Sequence, residues 1–119
     1  MFPKRYASST RFLRYHHESA HLLAKGNPAQ PQNPISDVIE WQYTGSKFHP
    51  TQKPVEALTP LIEVFSQEGA TVLDPFAGSG STLVAARRAG RAYIGIEMDP
   101  KHHATAVRRL SDDGCRASF

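Results

Sequence analysis

Thr71-Val-Leu-Asp-Pro-Phe-Ala-Gly-Ser-Gly-Ser-Thr82 is the stretch whose reading decides the fold of this 119-residue chain. Thr71–Asp74 has the apolar, β-branched character of a short buried strand. Gly78 and Gly80 then allow a sharp turn and a close approach of backbone to a ligand. Residues 82–89 follow as a helix, closed by Gly90, whose first turn presents free N–H groups and a positive dipole end. No Lys-Ser/Thr follows the glycines, which excludes a Walker loop, and the third glycine of the dinucleotide fingerprint is missing. Two glycines alone fit an ordinary tight turn as well as a ligand site.

The next strand separates these readings. Ala92-Tyr-Ile-Gly-Ile-Glu97 is apolar and ends in an acid. In a parallel sheet Glu97 lies beside the glycine turn at the carboxyl edge, where ligands of open α/β sheets bind. A carboxylate there can accept both hydroxyls of a ribose, and Met98 beside it can pack on an adenine face. The alternative is a plain strand-end charge; the pairing of acid and glycine turn favours a nucleoside.

Outward from this unit, Val55, Leu58, Leu61, Ile62 and Phe65 recur at helical spacing, with Glu56, Glu63 and Glu68 on other faces. Pro54 suits the first turn of that helix and Gly69 its end. Pro100 opens a last helix through about Leu110, with Ala104, Val107 and Leu110 on one face and a frayed tail from Ser111. Helices and strands alternating through short connections predict an α/β fold with a parallel sheet. On the N-terminal side, Ser19–Lys25 reads as a strand, the proline-rich segment 26–34 as a loop, and Asp37–Tyr43 as a second strand. Residues 1–17 show no clean periodicity and read as loop or as a fragment out of its context.

The net charge of +3 is concentrated at the start, where Lys4, Arg5, Arg11, Arg14 and Lys25 face Glu18 alone. Such an opening can contact phosphate, although composition by itself favours a solvated face. Cys115 is the only cysteine, so an intrachain disulfide is excluded and a reducing, cytoplasmic setting is expected. No apolar run approaches the roughly 20 residues of a membrane span, and the basic first residues, with no apolar stretch after them, are not expected to act as a signal peptide. His17 and His21 stand four apart without a further ligand cluster, so no metal site is expected. His102 and His103 read as exposed helix residues and Trp41 as core or hairpin packing.

DPFAGSGST followed by AYIGIEMDP resembles the S-adenosylmethionine-binding pair of the DNA methyltransferases that modify exocyclic amino groups of adenine or cytosine. Lys47-Phe-His-Pro-Thr-Gln-Lys-Pro-Val-Glu56 is similar to that family's signature for the helix preceding the cofactor strand, and three motifs in family order span residues 47–110. His17–Gly26 resembles, more weakly, the family's late β-hairpin. The resemblance implies part of a Rossmann-like S-adenosylmethionine-dependent methyltransferase fold. It divides the chain into a basic segment with a hairpin and proline-rich loop at 1–46 and a cofactor-binding α/β part at 47–119. It further implies that Asp74, Phe76, Gly78 and Gly80 wrap the methionine part and ribose of the cofactor, with Thr82 at the helix start, and that Glu97 binds the ribose hydroxyls beside Met98. By the same resemblance, Thr51, Gln52 and Lys53 are expected near the cofactor's amino-acid end. Double-stranded DNA is the expected partner, contacted by Lys4, Arg5, Arg11 and Arg14.

Members of the family transfer the methyl group with an Asp/Asn/Ser-Pro-Pro-Tyr/Trp loop that grips the amino group of an extruded base. No Pro-Pro pair occurs in the 119 residues, so no catalytic residue is assigned. In the permuted class that loop precedes the cofactor motifs, and the chain looks like the C-terminal part. A truncated gene, half of a split enzyme whose second chain supplies the loop, and a non-catalytic cofactor- or DNA-binding fragment all fit this pattern.

Overall fold

In a computed structural model, residues 2–9, 14–40 and 52–116 are described, with side chains over 17–40 and 52–113. These residues contain two small sheets and three helices, with 19–40 irregular. Strand β1 (Phe2–Ser9) pairs antiparallel with β2 (Arg14–Glu18). Helix α1 (Val55–Phe65) leads to β3 (Thr71–Asp74), α2 (Ser81–Arg88), β4 (Ala92–Gly95) and α3 (Pro100–Arg116). β3 and β4 run parallel, in register from Thr71 opposite Ala92 to Asp74 opposite Gly95. The α/β class and the order of elements from α1 onward are those expected from the sequence.

Helix α2 lies at the centre of this unit. Val84, Ala85 and Ala86 are buried in one cluster with Val55 and Ile62 of α1 and with Ala89, and Leu58, Val72, Tyr93 and Leu110 pack around it. Small side chains on α2 let α1, α3 and the sheet all approach closely. The helix closes in a Schellman arrangement: the N–H of Gly90 donates to the Arg87 carbonyl, and that of Arg91 to the Ala86 carbonyl. Strand alternation sends Val72 and Tyr93 into the helices and leaves the cross-strand pair Leu73 and Ile94 on the other face, 60% and 54% exposed. Ile96, also 54% exposed, extends that bare apolar face.

Several expectations are corrected. Residues 2–9 and 14–18 form strands, not loop, because each pairs with the other across a register irregularity between Pro3 and Ser8. Ser19–Lys25 is not a strand: it has no pairing partner among the described residues, and Leu22 and Leu23 are 72% and 89% exposed. Only His17 and Glu18 of the segment that resembled the late hairpin belong to β2. Asp37–Glu40 is irregular, with the Val38 N–H donating to the Ser36 hydroxyl, and Trp41–Tyr43 lie outside the described residues.

Helix α3 does not fray at Ser111 but continues to Arg116. Its buried position is Ala106, whereas Ala104 is exposed and Val107 half exposed. Helix α1 accepts Pro60 in its interior, at the cost of one backbone donor.

Candidate functional site

The glycine turn is built by hydrogen bonds that begin at Asp74. Its carboxylate accepts the Phe76 N–H at 3.0 Å, an Asx-turn around Pro75. The Ile96 N–H donates to the Asp74 carbonyl and the Ala77 N–H to the Ile96 carbonyl, both at 2.9 Å. These bonds carry the parallel pairing one step past β4 and bring Glu97 beside the turn. The Glu97 carboxylate then accepts the Gly78 N–H at 2.7 Å on one oxygen and the Asp99 N–H at 2.8 Å on the other. The two backbone donors, Asp99 first and Gly78 second, hold its carboxyl below the usual carboxylate range.

Gly80 takes φ +79° at the start of α2, in the left-handed region that glycine alone occupies freely. A Cβ there would lie 2.9 Å from the Ala106 Cβ, so α3 packs directly on the back of the turn. One turn further along α3, Arg109 donates to the Ser79 carbonyl at 2.7 Å, the Ser79 hydroxyl at 2.9 Å and the Ser81 hydroxyl at 3.2 Å. Ser79 and Ser81 are both buried. Partial burial pushes the Arg109 guanidinium below its ordinary value, though an arginine stays charged. Asp99 starts α3: its carboxylate accepts the Lys101 and His102 N–H groups, and Pro100 occupies the first helical position.

A cleft of about 200 Å³ opens in front of the turn, lined by Gln52, Lys53, Asp74, Phe76, Ala77, Gly78, Ser79, Ser81 and Thr82. The structure thus gathers six of the sequence-predicted residues, Gln52, Lys53, Asp74, Phe76, Gly78 and Thr82, around one opening. Glu97 adjoins it through Gly78, whereas Gly80 faces α3. Phe76 and Met98 are 88% and 94% exposed, large apolar groups that the fold itself leaves uncovered. Lys53 forms an ion pair with Glu18, which ties the start of α1 to β2. Thr51 and Arg11 lie outside the described residues; Lys4 and Arg5 belong to β1 and Arg14 to β2.

Sequence reasoning missed Ser79, Ser81 and Arg109. Nothing local marks Arg109, whose partners lie 28 and 30 residues away. Among the described residues, no group of three or more His, Cys, Asp or Glu side chains is placed to hold a metal ion, and no helix is long and apolar enough to cross a membrane.

A short parallel βαβ unit, with a glycine turn met by an acid two residues past the second strand, defines an α/β sheet of the kind that holds ligands at its carboxyl edge. Residues 4–108 match the family model described as DNA methylase, and the chain belongs to that family of N6/N4 methyltransferases. The YubD protein of Escherichia coli K12 is 53% identical over 111 residues, 93% of this chain and 49% of YubD. The type II methyltransferase M2.DpnII of Streptococcus pneumoniae is 47% identical over 62 residues, 52% of this chain and 23% of M2.DpnII. The crystal structure of the M1.HpyAVI–SAM complex superposes with a TM-score of 0.57 at 31% identity, covering 69% of this chain and 42% of that one. The chain therefore spans about half the length of YubD and about a quarter of M2.DpnII.

Proposed function

We propose that this chain is the S-adenosylmethionine-binding part of a DNA methyltransferase that modifies an exocyclic amino nitrogen of adenine or cytosine. The observation that carries the reading is the junction of Gly78 and Glu97 at the rim of the cleft. Each Glu97 oxygen uses one lone pair on a backbone N–H and keeps capacity for a ribose hydroxyl. Phe76 and Met98, bare on the same edge, offer apolar surface to the adenine. Gln52 and Lys53, on the wall contributed by the approach to α1, together with Thr51, suit the charged amino-acid end. Asp74 shapes the turn, and Thr82 adds a hydroxyl at the start of α2. When bound, S-adenosylmethionine supplies a sulfonium methyl group as the electrophile. Titrating it into the full chain by calorimetry should give saturable binding, and absence of binding would overturn the reading.

The second half of the proposal concerns what these residues do not contain. Methyl transfer also needs the target nitrogen held in line with the sulfur–methyl bond, and the polar-Pro-Pro-aromatic element that does so in the family does not occur here. We assign it to polypeptide beyond these residues, with a second chain as one source. The bare Leu73, Ile94 and Ile96 face supports this, since parallel sheets are normally covered on both sides. The same gap favours, as second reading, a binding fragment that holds cofactor or DNA without catalysing transfer. Lys4, Arg5, Arg11 and Arg14 are the proposed contacts to double-stranded DNA, and a reducing cytoplasm is the setting that suits the lone cysteine.

A further inference from the structure

We infer that Arg109 is a positioning residue for the cofactor turn, acting from α3 through Ser79 and Ser81. The inference rests on the proposed binding of S-adenosylmethionine at the Gly78–Glu97 junction and adds a residue of the opposite face of the turn. One guanidinium nitrogen of Arg109 meets three oxygens that lie on successive parts of the turn. Ser79 and Ser81 are the buried polar residues of the described chain, 4% and 6% exposed, and both also line the cleft. Their hydroxyls are thus fixed from behind by Arg109, and the side facing the cleft is set as a consequence. Ala106, one helical turn earlier on α3, seats Gly80 against the helix. Between these two contacts α3 determines where the Gly78 N–H points, and hence where Glu97 stands.

A charged donor serving this purpose has a physical advantage over an apolar contact. Ser79 and Ser81 are only 4% and 6% exposed, so their polar atoms depend chiefly on partners within the protein. Arginine reaches all three with the two N–H groups of one nitrogen, one of them shared, on a rigid planar group that fixes their mutual geometry more tightly than separate partners would. Removing it leaves buried oxygens to find new donors, and the turn that carries them must move.

The test compares R109M with R91M in the full chain. Arg91 also fastens a backbone, donating to the carbonyls of Glu63 and Ser66 at the C-terminal end of α1, but it is not among the residues lining the cleft. Both variants should melt earlier than wild type. Only R109M should weaken S-adenosylmethionine binding, by about tenfold at a temperature where all three proteins are folded. Amide exchange at Gly78 and Gly80 should quicken in R109M and not in R91M, with R109K between R109M and wild type. Unchanged affinity and unchanged turn exchange in R109M, with wild type binding normally, would overturn the role of Arg109. No binding by wild type would defeat the cofactor reading itself. Should R109M fail to fold, R109Q, too short to span to Ser79, is read in the same way.

Discussion

The backbone N–H of Gly78 and the carboxylate of Glu97, 19 residues apart, meet at 2.7 Å and close the carboxyl edge of the β3–β4 pair into one rim. Two effects are combined at this junction. The acid orders the glycine turn, and the turn fixes which lone pairs of the acid remain open to a ligand.

Replacing Glu97 by alanine should weaken S-adenosylmethionine binding by about tenfold or more, because the ribose hydroxyls are deprived of a charged acceptor. Calorimetry on folded wild-type and variant protein measures this. Equal affinities would remove Glu97 from the site.

The same carboxylate should make stability depend on pH. Its folded-state pKa is depressed by the Asp99 and Gly78 N–H groups. Its contribution is therefore complete above the unfolded value, about 4.3, and disappears as pH falls through the lower folded value. Urea denaturation between pH 3 and 7 should show wild type declining in stability relative to E97Q at the acid end. Parallel curves would contradict the assignment.

Gly80→Ala should destabilise the chain by about 2 kcal/mol or more. The left-handed backbone costs an L-residue about 1–2 kcal/mol, and the new Cβ falls 2.9 Å from Ala106, where overpacking adds to it. A companion G69A meets no atom within 4 Å at a similar φ and should cost only the backbone part. Chemical denaturation of the two variants separates the two effects, and equal destabilisation would show that α3 does not abut the turn.

If Lys4, Arg5, Arg11 and Arg14 contact DNA, changing all four to glutamine should flatten the salt dependence of binding by roughly 0.9 in log–log slope for each phosphate no longer neutralised. Substitution is preferable to deletion because β1 is the pairing partner of β2. Fluorescence anisotropy over a salt series reads the slope, and cofactor affinity should not change. An unaltered slope would leave these side chains as a solvated face.

Mixed with labelled S-adenosylmethionine and mixed-sequence DNA, the 119-residue chain should incorporate no methyl group above background. Holding the donor does not orient the acceptor, and orientation of that kind accounts for several kcal/mol of barrier lowering. Adding a polypeptide that carries the polar-Pro-Pro-aromatic loop should restore transfer if it packs on the Leu73–Ile94 face. Methylation by the chain alone would show that the loop is dispensable.

The sequence by itself determined those features whose causes are local. Gly78 and Gly80 mark a turn because their backbone angles disfavour other residues, and Pro100 after Asp99 marks a helix start through its missing donor and its neighbour's cap. Glu97 was legible as the partner of the turn because parallel strands joined by one helix must end at the same edge. Interactions between distant residues were decided only by the tertiary structure. Ser19–Lys25 has a strand's apolar run yet no strand beside it among the described residues, while the unpatterned residues 2–9 and 14–18 find each other. A β-ladder is satisfied by a neighbour and not by its own side chains. Arg109 reads as one more surface charge on a basic helix until α3 docks. Then desolvation of the Ser79 and Ser81 oxygens makes it their donor, a role set by packing across 28 to 30 residues and invisible in any local pattern.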